Sequence, residues 1–221
     1  MAGIDEAGRG PVIGSMFVAI VVMDENDLNK LVKLGLTDSK KLTPRKRKTL
    51  YKLILTRAKY VSVKEVKPDE IDKSNINLIT LEVAKELIMD ALKKVKFDIV
   101  YVDAIGKVRR IDGMGVPIII EPKADQVYPI VSAASIVAKE FRERHVRDLK
   151  RKYGDFGSGY PSDPKTIKWL EQNYDKPIVR KKWKTLSRIR YNSSKEGVGG
   201  SNHDHSTEGE GRGDRSQESL S

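Results

Sequence analysis

The chain has 221 residues, 38% of them hydrophobic, and a formal net charge of +11. That length suits one sizeable domain with its own core and room for a small appendage. Without cysteine, disulfides, thiolate metal sites and cysteine nucleophiles are all excluded.

The three histidines are His145, His203 and His205, the last two in a polar tail, so carboxylates rather than imidazoles are the first candidates for chemistry. From Tyr191 onward, three Lys/Arg face six Asp/Glu; the first 190 residues hold 39 basic and 25 acidic groups, a net +14. A basic body suits a polyanionic partner, because each phosphate contact releases condensed counterions. A lysine-rich solubilising surface would give the same balance. The longest apolar run, Met16 to Met23, is too short to span a bilayer, and no leader pattern is visible. The expectation is a cytoplasmic protein without membrane contact.

Gly3-Ile4 forms a short apolar lead into Asp5, and Met16 to Met23 predicts a buried strand. Between them, Ala7-Gly8-Arg9-Gly10-Pro11 predicts a turn through which backbone can approach a ligand closely. Thr43 as N-cap and Pro44 at the first helical position open a basic helix running to about Lys59. Tyr60 to Val66 alternates like a half-buried strand, and Leu78 to Val95 has apolar residues at helical spacing. Asp98 to Ala104 predicts a strand closing on Asp103, and Val116 to Glu121 another. Pro129 to Tyr153 predicts a long helix, small-residue-rich at Ser132-Ala133-Ala134-Ser135 and then charged. After a loop over Gly154 to Pro161, helices are expected at Asp163 to Tyr174 and Lys184 to Arg190. This order indicates an α/β domain with a mixed sheet and a helical C-terminal part. The stretch from about Asn192 is Gly, Ser and charge with almost nothing apolar, the composition of a disordered tail.

Asp5 and Glu6 are adjacent carboxylates placed at the end of the first strand. Alone they would repel and one would take a proton; a divalent cation resolves the conflict, and all-oxygen ligands suit magnesium or manganese. A solvated acidic pair near a terminus is the competing account. Asp103 closes an apolar strand, where a helix cap or ion-pair role competes with a ligand role. Asp125 follows Pro122-Lys123-Ala124, with N-capping as its alternative. Three such acidic positions at the ends of apolar strands, beside glycine turns, favour a metal site, since a rigid sheet fixes ligands while loops admit substrate.

Gly3-Ile4-Asp5-Glu6-Ala7-Gly8-Arg9-Gly10-Pro11 resembles the signature of type 2 ribonuclease H (ribonuclease HII). Further matches follow in order: Thr37 to Leu42, the strand ending at Asp103, Lys123-Ala124-Asp125, Ser132 to Lys139, Tyr153-Gly154, Gly157 to Asp163 and Trp183-Lys184-Thr185. Together they cover about residues 3 to 187 and most resemble the archaeal branch. Where many members carry a histidine before the Lys-Ala-Asp motif, this chain has Pro122.

The resemblance implies a ribonuclease H-like fold, with a mixed five-stranded sheet flanked by helices. Residues 1–150 would form the catalytic domain, 151–190 a helical substrate-binding extension and 191–221 a polar tail. It implies that Asp5, Glu6, Asp103 and Asp125 are the catalytic and metal-binding quartet, holding two Mg2+ or Mn2+ ions. The implied activity is endonucleolytic cutting of the RNA strand of RNA/DNA hybrids, and 5′ of ribonucleotides embedded in duplex DNA, leaving 5′-phosphate and 3′-hydroxyl ends. Gly8, Arg9, Gly10 and Tyr160 would recognise the 2′-hydroxyl, which is what separates RNA from DNA, and Lys40 would contact phosphate. Lys41, Lys139, Lys181 and Lys184 are weaker phosphate candidates. A monomer is expected. No apolar-aromatic motif for a sliding clamp is recognised in the tail, whose large aliphatics are Val198 and Leu220. Two alternatives stand beside this reading: another metal-dependent polynucleotidyl transferase of the same fold, and a basic nucleic-acid-binding module with structural acids.

Overall fold

The computed structural model describes residues 1–183 and residue 186. The expected Lys184–Arg190 helix, the residues Lys184 and Thr185, and the tail with His203 and His205 lie outside that range.

Five strands form one mixed sheet. β1 (Ala2–Ala7) pairs antiparallel with β2 (Met16–Val22), and β2 pairs antiparallel with β3 (Tyr60–Val66). On its other edge β1 runs parallel to β4 (Val100–Asp103), which runs parallel to β5 (Ile118–Glu121), giving the order β3-β2-β1-β4-β5. β2 is buried along its whole length because helices cover both faces. Ala19, Val21 and Met23 enter one core; Met16, Val18, Ile20 and Val22 enter the other.

The helices follow in chain order: α1 (Glu25–Lys33), α2 (Pro44–Arg57), the one-turn α3 (Pro68–Ile71), α4 (Ile76–Leu92), the one-turn α5 (Ala124–Val127), α6 (Pro129–Tyr153) and α7 (Pro164–Asn173). Thr43 caps α2, accepting the Lys46 N–H at 3.2 Å, as its sequence predicts. α4 packs Ala84, Leu87, Ile88 and Ala91 under one face of the sheet. α6 crosses the other face, its first ten residues almost entirely buried. The small residues of its first turns let it press on β1: a Cβ on Gly3 would lie 2.4 Å from the Ile130 carbonyl oxygen.

α1, α3 and α5 are absent from the sequence expectations, as is a 3₁₀ turn at Ser39–Lys41. The first strand also differs. It extends through Asp5 and Glu6 to Ala7, because β2 continues the ladder with Asp5 opposite Ala19 and Glu6 opposite Val18. The parallel ladder to β4 stops earlier, at Ile4 opposite Val102. The two acids are therefore not at the end of β1; they stand where one of its two neighbours has ended.

A third core unites the loop after β1 with the C-terminal part: Val12 and Ile13 pack with Phe156, Leu170, Ile178, Val179 and Leu186. Backbone bonds clip the two together, Val12 N–H to Gly159 O at 2.8 Å and Gly14 N–H to Ile178 O at 2.8 Å. The α7 region is thereby fastened onto the Gly-Arg-Gly turn.

Candidate active site

Past the last rung shared by β1 and β4, the sheet opens into a cavity of about 290 Å³. Its wall includes Asp5, Glu6, Asp103 and Asp125, together with Gly8, Arg9, Gly10, Lys40 and Tyr160. All nine residues singled out in the sequence therefore meet at one place, drawn from β1, β4, α5, the 3₁₀ turn and the loop before α7.

Alternation along β1 separates the adjacent acids. Asp5 is buried beside α6 and hydrogen-bonds Ser135, while its Oδ1 also accepts the Glu6 N–H at 2.7 Å. Glu6 leans the other way, toward Arg9, whose guanidinium lies 3.4 Å from Glu6 Oε1 and also donates to Asn77 at the start of α4. Asp103, ending the neighbouring strand, feels the field of both acids across the gap. Its Oδ1 accepts the Ala124 N–H at 2.8 Å. The capping alternative thus holds in part, since Asp103 stabilises the start of α5 while facing the cavity. Asp125 sits inside α5 and caps nothing; α6 starts after Tyr128, which makes no side-chain cap bond. Ser132 Oγ donates to the Asp125 carbonyl at 2.6 Å and anchors that turn to α6.

The electrostatics oppose four bare carboxylates. Burial, then the Glu6 and Asp103 charges, push the Asp5 carboxyl well above the usual range. Burial pushes Glu6 up to about 7 against the pull of Arg9. Burial also raises Asp103, with Asp125 adding to it. Two cations approach the cluster from the side. Lys40 Nζ is 3.5 Å from Asp125 Oδ2 and is otherwise exposed. Although partial desolvation works against it, the fields of Asp125 and Asp38 keep Lys40 firmly protonated. Lys139, lowered by burial and by Arg47, lines the wall nearby.

The donor set is all oxygen, as hard divalent cations require. Burial of three repelling carboxyls makes neutralisation by a proton or a cation necessary. The side chains do not converge on a single point: among the described residues no three of His, Asp or Glu form a group that grips one ion. Arg9 on Glu6 and Lys40 on Asp125 hold two of the four apart.

The ribonuclease HII family model matches residues 2–186. The chain belongs to the ribonuclease HII family. Ribonuclease HII of Pyrococcus furiosus is 45% identical over 202 residues, covering 86% of this chain and 90% of the relative. The crystal structure of ribonuclease H2 from Pyrococcus horikoshii superposes with a TM-score of 0.78 at 38% identity, over 88% of this chain and 98% of that one. Ribonuclease HII of Archaeoglobus fulgidus, solved in a complex with PCNA, gives a TM-score of 0.74 at 41% identity over 86% and 96%. The sheet and flanking helices are those of ribonuclease H structures, and the chain is a nuclease of that type.

Within this ribonuclease HII, other wall residues were weighed in the sequence only as packing, or not at all. Ser135 bonds Ser39 Oγ at 3.0 Å and reaches Asp5, so the small-residue start of α6 is also polar lining. Arg142 lines the wall and lies over the Tyr160 ring at 5.5 Å from its centroid. Position on the buried face of α6 was the available signal for both. Lys41 and Lys181 do not line the cavity. Among the described residues no helix is long and apolar enough to cross a membrane.

Proposed function

We propose that this ribonuclease HII cuts the RNA strand of RNA/DNA hybrids and cuts on the 5′ side of ribonucleotides embedded in duplex DNA, leaving 5′-phosphate and 3′-hydroxyl ends. The observation that carries this reading is one shared cavity: four carboxylates lie on the same wall as a glycine turn and Tyr160. Chemistry at a phosphate and recognition of the adjoining sugar then fall within one nucleotide of each other.

Asp5, Glu6, Asp103 and Asp125 would hold two divalent ions, magnesium or manganese. When bound, these supply activation of the attacking water and neutralisation of charge at the phosphate. The acids' part is to stay deprotonated around the cations, and the apolar packing behind Asp5 and Asp125 keeps them from retreating into solvent. Lys40 offers a cation to the phosphate at the mouth. The Gly8-Arg9-Gly10 backbone offers amides to the 2′-hydroxyl. Tyr160, 41% exposed, presents its ring to the neighbouring sugar and its hydroxyl as a donor. His145 takes no part: its Nε2 accepts the Ser15 N–H at 3.2 Å and its Nδ1 faces Glu65.

The enzyme is proposed to act in the cytoplasm as a monomer. PCNA binding is not part of the proposal, because residues 191–221 carry no recognised docking motif.

The deciding assay compares a DNA duplex holding one ribonucleotide, its all-DNA counterpart and an RNA/DNA hybrid, with magnesium or with EDTA. Wild type should cut the first and third only with metal, and Asp5→Asn should cut neither. Metal-independent cutting, or equal cutting of the all-DNA duplex, would sink the reading.

A further inference from the structure

The loop after β1 is held from behind by Arg180, a residue fully removed from solvent. Its guanidinium spends its bonds on main-chain carbonyls: Nε donates to Gly14 O at 2.9 Å, Nη1 to Arg9 O at 3.0 Å and Nη2 to Gly8 O at 2.6 Å. The carboxylate whose field reaches it, Asp72, is engaged elsewhere by the Lys181 and Lys182 N–H groups. Burial and the nearby Arg142 lower the Arg180 guanidinium to about 9. A buried cation that serves carbonyls rather than a carboxylate is costly unless those contacts have a use.

The peptides following Gly8 and Arg9 are both trans. In a trans peptide the C=O and N–H point in opposite directions. Because Arg180 draws the Gly8 and Arg9 oxygens inward, the N–H groups of Arg9 and Gly10 are turned away from the core, on a turn whose residues line the cavity. Neither N–H donates to a protein acceptor among the described residues. Backbone bonds keep the arginine in register, Arg180 N–H to Val12 O at 2.9 Å beside the Ile13–Val179 bridge.

We propose that Arg180 is a positioning residue for ribonucleotide recognition: it orients the two peptide planes of the turn, so that the Arg9 and Gly10 N–H groups face the 2′-hydroxyl as a preset donor pair. This rests on the turn being the sugar reader. Lysine cannot replace it, since one ammonium on a flexible stem cannot hold three carbonyls in the fixed fork a guanidinium spans.

The test uses the full chain with Arg180→Lys, Arg180→Gln and Asp72→Ala. The last loosens the same segment while leaving the three carbonyl bonds. For Arg180→Lys, kcat/KM on a duplex with one ribonucleotide should fall about tenfold to a hundredfold. Affinity for the all-DNA duplex, read by fluorescence anisotropy, should change less than about threefold. Asp72→Ala should retain the preference for the ribonucleotide. If both readouts fall together in Arg180→Lys, or if Asp72→Ala loses the preference equally, Arg180 merely cements the fold and the proposal is overturned. Should the Arg180 variants fail to fold, amide exchange in the wild type decides. The Arg9 and Gly10 N–H groups should exchange fast in the free protein and slow when the ribonucleotide duplex, but not the all-DNA duplex, is added. Protection in the free protein overturns the orientation. A wild type that does not distinguish the two duplexes refutes the sugar-reading turn itself, a separate outcome.

Discussion

Asp103 accepts the Ala124 N–H at 2.8 Å, so the acid that ends β4 also holds the one-turn helix carrying Asp125. One carboxylate therefore has a structural and a chemical use, and two substitutions separate them. Asp103→Asn keeps an oxygen for Ala124 and removes a charge that burial disfavours. It should lose at least about a hundredfold in cleavage with a Tm that holds or rises. Asp103→Ala loses the cap as well and should cost about 1 kcal/mol of stability. Thermal melting beside the cleavage assay tells the two apart.

Glu6 makes the metal-free protein pH-sensitive. Its carboxyl rises from 4.5 to about 7 in the folded chain, chiefly through burial. A raised carboxyl stabilises the fold fully below the unfolded value and loses that contribution as pH rises through the folded one. The metal-free Tm should therefore fall between pH 4.5 and about 7, by the equivalent of about 1–3 kcal/mol. A divalent cation competes with the proton, so magnesium should raise the Tm more at pH 8 than at pH 5. Calorimetry with and without EDTA checks both; equal magnesium shifts at the two pH values would contradict the assignment of Glu6 as a ligand.

Lys123 is the one non-glycine residue at positive φ among the described residues, at 59°. It stands immediately before α5, where that conformation delivers Ala124 to Asp103. A left-handed lysine costs about 1 kcal/mol and glycine does not. Lys123→Gly should therefore be neutral or slightly stabilising, whereas Lys123→Val should destabilise by about 1–2 kcal/mol and lower cleavage by misplacing Asp125. Urea melts with parallel rates measure both effects.

Arg47 of α2 is buried against Glu140 of α6, Nε to Oε1 at 3.1 Å, and also pairs with Glu143. Arg47→Ala leaves Glu140 buried without its partner and should cost about 3–5 kcal/mol. Arg47→Met with Glu140→Leu removes both charges and should recover most of that loss. Denaturant midpoints test the pair, and an Arg47→Ala protein as stable as wild type would remove it from the core's account.

Long, periodic elements were legible without the fold. β3 spans Tyr60–Val66 and α6 Pro129–Tyr153 as their patterns predict, because one buried face imposes its period on the chain. α1 escaped because its nine residues bury only Leu28 and Leu31, too few to set a period. α3 and α5 are single turns, fixed by what surrounds them rather than by their own composition. Arg180 looked like one more basic residue in Arg180-Lys181-Lys182; nothing local marks an arginine whose three acceptors lie about 170 positions away in the chain.

The residue types alone determined the chemistry available here. A chain without cysteine and with one histidine outside its tail must work through carboxylates, and Asp5, Glu6, Asp103 and Asp125 stand out by their apolar and glycine-rich neighbours. The ordered motifs also determined the family. Only the tertiary structure decided that β1 runs on through its two acids while β4 stops, which opens the cavity between them. It also decided that the C-terminal segment reaches back to grip the Gly-Arg-Gly turn. Both depend on where backbone ladders end and which carbonyls face inward, and backbone hydrogen bonds are made by every residue type alike, so the letters of the sequence do not record them.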